Sequence, residues 1–203
     1  MPMPVVGVCI SANQIAYLDP KVYVAVVSQQ GRLMALLNFT GELKTDFKND
    51  SSWITSASKA AEFIHQFEHG IVICEEPQLL RNAATNATKA HAEFEMRVSE
   101  KGFRVLSIKP SIWKKQLLDV SSEKSTETAS VEHAIKVYAR YYTPPPENLF
   151  RKTLQRFWGP RKQPRPPSAP EADALNLAWF GVKHIQDIKA GNYWIGNSRF
   201  PRI

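Results

Sequence analysis

The chain has 203 residues, of which 43% are hydrophobic and 22% charged, and it carries a net charge of +7. Such a length and composition suit one substantial domain with a buried core and exclude wholesale disorder. No apolar run approaches the roughly 18 residues that a membrane span needs. Met1-Pro2-Met3-Pro4 does not open a secretory signal and two cysteines make no disulfide framework, so a cytoplasmic or other reducing intracellular compartment is expected.

Three strand-like segments come first. Residues 5–10 are apolar and β-branched, residues 15–27 include the alternating stretch Tyr23-Val24-Ala25-Val26-Val27, and residues 32–39 follow Gly31. The spacers between them carry turn chemistry, which predicts an antiparallel meander. The period then changes. Ile54, Ala57, Ala61, Ile64 and Phe67 share one helical face. Ile71–Cys74 is apolar on both faces, as in a parallel strand covered on both sides. Leu80, Ala83, Ala87, Ala90, Phe94 and Val98 mark a second helix, and residues 103–108 another buried strand. A short helix is expected over 112–118, and a long one over Val131, Ala134, Ile135, Tyr138 and Tyr142. The segment 143–170 is rich in proline and basic residues, and a last helix is expected from Glu171 to Ile188. The order predicts an α/β domain over residues 1–190 that includes this basic loop, with a tail at 191–203.

Three segments carry candidate chemistry. Gly7-Val8-Cys9-Ile10-Ser11 ends the first strand, Ile73-Cys74-Glu75-Glu76 ends an apolar strand in paired acids, and Glu171-Ala172-Asp173-Ala174-Leu175 puts acids at the start of an apolar helix. In this order and spacing the chain resembles the RuvC-type Holliday-junction resolvases of the ribonuclease H-like superfamily. Lys109-Pro110-Ser111-Ile112-Trp113-Lys114-Lys115 adds a weaker match, to a proline and then a lysine shortly after the family's fifth strand, and Lys124 sits where the family often carries another lysine before a long helix. The resemblance implies a mixed five-stranded sheet with helices on both faces. It also implies a Mg²⁺-dependent site built from Glu75, Asp173, Glu76 and Glu171, with Glu75 and Asp173 as metal ligands.

The departures bear on activity. Cys9 stands where the family carries its first aspartate, Ser11 where it carries a glycine, and Pro170 where it often has a further acid. Phosphodiester hydrolysis in this fold uses two Mg²⁺ ions about 3.5–4 Å apart. Mg²⁺ takes hard oxygen ligands. A thiol matches zinc or copper instead, and apolar burial keeps it protonated. Each acid also has an ordinary role: strand-end glutamates are often solvated, and an acid in a helix's first turns complements the dipole.

Arg151, Lys152, Arg156, Arg161, Lys162 and Arg165 concentrate positive charge with no acid among them, and Trp158 is interleaved. Cations neutralise phosphates and aromatic rings stack on unpaired bases, so these residues, with Lys115 and Lys124, are the expected nucleic-acid contacts. The expected function is binding of branched or duplex DNA by a catalytically impaired or inactive nuclease. An active Mg²⁺-dependent endonuclease using Glu75 and Asp173 is the alternative, and a protein-interaction module with a basic face is the second. No membrane partner is expected, whereas a homodimer or a place in a larger complex is compatible with the family.

Overall fold

Side chains alternate across a strand, and the first strand uses both faces. In the computed structural model, which describes residues 3–12, 20–40, 51–77, 82–118, 126–142, 165–190, 194–195 and 198–199, β1 (Val5–Ala12) buries Val5 and Cys9 on one face and Val6 and Val8 on the other. β2 (Pro20–Val27) and β3 (Leu33–Thr40) continue from it as the expected antiparallel meander. β4 (Ile71–Glu75) and β5 (Arg104–Ile108) add parallel partners, and the sheet order is β3-β2-β1-β4-β5. This is the mixed five-stranded sheet that the resemblance implied.

Both faces are covered. α1 (Ser51–Ile64) and α2 (Asn82–Glu100) bury Trp53, Ala57, Ala61, Ile64, Phe94 and Val98 against Val6, Val8, Val24 and Val72. The other face receives α3 (Pro110–Leu117), α4 (Thr126–Val137) and α6 (Ala169–Lys183), with Trp113, Ala134, Leu175 and Phe180 packed on Val5, Ile73 and Leu106. Complete burial of side chains of this size is worth about 1.5–3 kcal/mol each. A short α5 (Ala139–Tyr142) follows α4; α7 (Ile185–Lys189) and the antiparallel pair β6 (Trp194–Ile195) and β7 (Ser198–Arg199) follow α6.

α6 lies unusually close to the sheet because small residues line the contact. A Cβ added at Gly7 would stand 2.0 Å from the carbonyl oxygen of Ala174 and 2.4 Å from the amide nitrogen of Ala178. One added at Gly181 would meet Val5 and Ile73 side chains at 2.6 and 2.7 Å. The missing side chains bring α6 down onto β1 and β4, and this sets the depth of everything α6 carries.

Several boundaries differ from the sequence expectation. The second strand begins at Pro20, and residues 13–19 lie outside the described ones. The long helix expected to Tyr142 breaks at Tyr138, which is buried and donates its hydroxyl to the Leu175 carbonyl at 3.2 Å. The last helix starts before Glu171: Ser168 caps it and Pro170 sits in its first turn, where a missing N–H leaves no bond unmade. It ends at Lys183, and His184 separates it from α7.

Candidate active site

Register brings the first two groups together. β1 and β4 run parallel with Val8 opposite Cys74, so the next residues along, Cys9 and Glu75, are neighbours at the carboxyl ends of their strands. The Cys9 thiol donates to Glu75 Oε2 at 3.4 Å. α6 supplies the third group from above: one ligand atom each from Cys9, Glu75 and Asp173 lie within 4.8 Å of one another, the single such cluster found among the described residues. The carboxyl ends of sheet strands are where open α/β sheets place their ligand sites.

Asp173 is fully engaged. Lys114 Nζ, on α3, donates to its Oδ2 at 2.9 Å, and the Ser130 hydroxyl, on α4, to its Oδ1 at 2.5 Å. Asn176 Nδ2 donates in turn to the Ser130 carbonyl and hydroxyl at 2.9 and 2.8 Å, and its Oδ1 lies 2.8 Å from His133 Nδ1. The Lys114 and Asp173 side chains are 18% and 14% exposed, so the ion pair is largely out of water. Such a pair offsets its desolvation only because its remaining lone pairs are bonded.

The field of the site follows from burial and sign. Burial pushes the Cys9 thiol well above its ordinary pKa, and the charges of Glu75 and Asp173 push it further, so Cys9 is a neutral thiol at pH 7. Burial likewise raises Glu75, with Asp173 adding to the effect; Lys114 and the thiol hydrogen bond offset only part, and the carboxyl is pushed up to about 7. Burial pulls Lys114 down, but Asp173 and Glu75 outweigh it and hold the ammonium above its usual range. Lys114 thus offsets part of the charge of both acids.

The other expected site residues are placed differently. Glu76, one step past the end of β4, turns away from the cluster and acts electrostatically on His91 of α2. Glu171 accepts from the Ser168 N–H and hydroxyl at 2.8 Å and from both Arg165 terminal nitrogens at 2.8 and 2.7 Å. Burial alone would raise its pKa, but Arg165 and Ser168 hold it low. It closes the capping box of α6 and is not in the cluster. Arg165 is thereby anchored, with its side chain still 67% exposed. Lys115 is exposed, whereas its neighbour Lys114 turns inward to Asp173. Lys124, Arg151, Lys152, Arg156, Trp158, Arg161 and Lys162 lie outside the described residues. Cys9 and Cys74 are both free and belong to opposite faces of the sheet.

Sequence reasoning missed Lys114 as a partner of Asp173, and it missed Ser130, His133 and Asn176 altogether. The available signal was the spacing on α6: Asp173 and Asn176 are three apart, so both point at whatever packs on that side of the helix.

No protein-family model matches the sequence, and no curated protein matches it. Solved structures do. Thermus thermophilus RuvC in complex with a Holliday junction substrate superposes with a TM-score of 0.57 at 17% identity, over 94% of this chain and 97% of that one. A second Thermus thermophilus RuvC structure gives 0.54 at 16% identity, over 94% and 98%. This is a ribonuclease H-like fold of the RuvC type. In that fold the cluster of Cys9, Glu75 and Asp173 stands where β1, β4 and the helix covering them meet, with Lys114 inserted from the side.

Proposed function

We propose that this protein binds branched or duplex DNA and cleaves it weakly or not at all. The observation that carries this reading is the composition of the cluster: Glu75 and Asp173 converge on a neutral thiol and are charge-compensated by Lys114. A pair of Mg²⁺ ions needs hard oxygen donors shared between them. The cluster offers two carboxylates, from Glu75 and Asp173, and the sulfur of Cys9 on β1 in place of a third oxygen donor. These residues do not fit a Mg²⁺ pair, and no hydrolytic step follows from them.

DNA as the partner is supported by the net charge of +7 and by the basic run Arg151, Lys152, Arg156, Arg161, Lys162 and Arg165, with Lys115 and Lys124 as further cations. It is also supported by the likeness to a RuvC solved with a Holliday junction substrate. A homodimer would match the two-fold symmetry of a four-way junction, and assembly into a larger complex would serve the same binding role.

The test is a four-way junction offered to the purified protein in chelator, and then with Mg²⁺ or Mn²⁺. Binding should persist in chelator and fall with salt, each phosphate contact adding about 0.9 to the log–log slope. Changing Arg151, Lys152, Arg156 and Arg161 together to alanine should weaken it strongly. Robust Mg²⁺-dependent cleavage, abolished by Glu75→Gln, would establish the endonuclease reading instead. Absence of binding to junction, duplex and single strand alike would leave the protein-interaction module.

A further inference from the structure

We infer that Cys9, Glu75 and Asp173 form a site for one thiophilic divalent cation of the zinc class, in place of the hard-ion pair. Three observations converge on it.

Donor chemistry is the first. A thiol and two carboxylates from three separate elements bring their ligand atoms within 4.8 Å. That set matches zinc, which accepts sulfur and oxygen together, and is a poor set for Mg²⁺, which does not take sulfur.

Geometry is the second. A tetrahedral zinc with Zn–S about 2.3 Å and Zn–O about 2.0 Å holds a sulfur and an oxygen ligand about 3.5 Å apart. Cys9 Sγ and Glu75 Oε2 are 3.4 Å apart, so one edge of the polyhedron is already built. The third ligand is on α6, whose backbone lies directly against β1 at Gly7. Turning Asp173 inward from Ser130 and Lys114 completes the set. Three protein ligands leave a fourth position for an exogenous oxygen donor.

Charge is the third. A thiolate and two carboxylates around a divalent ion leave one net negative charge, and Lys114 is in place to offset it. The balance is simple: the ion enters, the Cys9 S–H bond breaks, the Zn–S bond forms and the proton leaves to solvent. Nothing is oxidised or reduced. Cys74, on the opposite face of the sheet, takes no part.

The inference shares its residues with the functional reading above, but it is tested separately. Chelator-treated full-length protein is titrated with Co²⁺ and followed in the near ultraviolet and visible. At one equivalent a thiolate-to-cobalt charge-transfer band should appear, with the visible intensity of a tetrahedral ion. Zn²⁺ should abolish the band and raise the melting temperature, while Mg²⁺ does neither. Cys74→Ser should keep the band and Cys9→Ser should lose it. Even residues that only support a ligand are worth about 10–100-fold in affinity, so losing the Cys9 ligand should raise the zinc dissociation constant at least as much. Glu75→Gln should weaken zinc binding too, with circular dichroism showing a retained fold.

A missing band, a band that survives Cys9→Ser, or a zinc-induced stabilisation equal in Cys9→Ser and parent would each overturn the site. Junction binding in chelator is read independently. Protein that binds the junction without giving the band loses only the ion site, and protein that gives the band without binding loses only the DNA reading.

Discussion

Replacing Cys9 by aspartate tests the account of the site most directly. The residue is 6% exposed, and its sulfur is 3.4 Å from a carboxylate oxygen of Glu75. Cys9→Asp puts a second carboxylate beside a group already pushed up to about 7, with Asp173 close by and one ammonium to serve all three. Two carboxylates about 4 Å apart repel by about 4 kcal/mol at the effective dielectric of such sites. The new group and Glu75 should share a proton through neutral pH, as coupled pairs do. At about pH 8, where both are driven to ionise, the variant should lose about 3–4 kcal/mol, or about 6–16 °C in melting temperature for a chain of this size. Hard oxygens now surround the position, so Mg²⁺ or Mn²⁺ should restore stability, by about 2.7 kcal/mol at a hundredfold excess over the dissociation constant. The parent should show no such response. Scanning fluorimetry of both proteins, in chelator and across a metal titration, measures this, with junction cleavage as the second readout. A variant as stable as its parent in chelator and indifferent to Mg²⁺ would refute the reasoning, because it would mean the acids do not face one another.

The remaining predictions follow from single contacts. Glu75 has a folded pKa raised from 4.5 to about 7, so its contribution to stability is fully present below about 4.5 and is lost as pH rises through about 7, a change on the order of 3 kcal/mol. Chemical denaturation across that range should show the decline in the parent and a flatter profile in Glu75→Gln. Lys114→Met should destabilise by about 2–3 kcal/mol, below the range for a wholly buried pair because both side chains keep some exposure, while Lys115→Met should stay within about 0.5 kcal/mol; urea midpoints compare them. Gly7→Ala should lose at least about 3 kcal/mol or fail to fold, since its Cβ would strike backbone atoms of α6. Gly102→Ala, with open space around it and a φ of +81°, should lose only about 1 kcal/mol by the same measurement.

Much of this protein was legible in its linear order. The shift from period two to period three-and-a-half separates β1–β3 from the helices. The doubly apolar run of Ile71–Cys74 marks a strand covered on both sides, and the steric result agrees. The resemblance carried by the order of Cys9, Glu75 and Asp173 nominated one site, and the parallel register of β1 and β4 makes Cys9 and Glu75 neighbours at the carboxyl ends of their strands. Ser168 and Glu171 also carried a capping-box spacing, readable in advance as a structural role for the glutamate.

Other features were decided only by packing. Side-chain type alone does not choose between Glu75 and Glu76, where only the resemblance favoured Glu75, or between Lys114 and Lys115. Each pair holds identical side chains one residue apart, and what selects the inward member is the face its element lays on the sheet. Ser130, His133 and Asn176 became a bonded chain only when α4 crossed α6, a contact between residues more than 40 positions apart. The state of the site is likewise a tertiary property. A cysteine and a glutamate have ordinary pKa values in an extended chain, and the raised values here come from burial under α6, held close by the missing side chain of Gly7. Local pattern determines which elements form because it depends on near neighbours. Charge state depends on how much water and which distant charges remain around a group, and only the folded packing sets those.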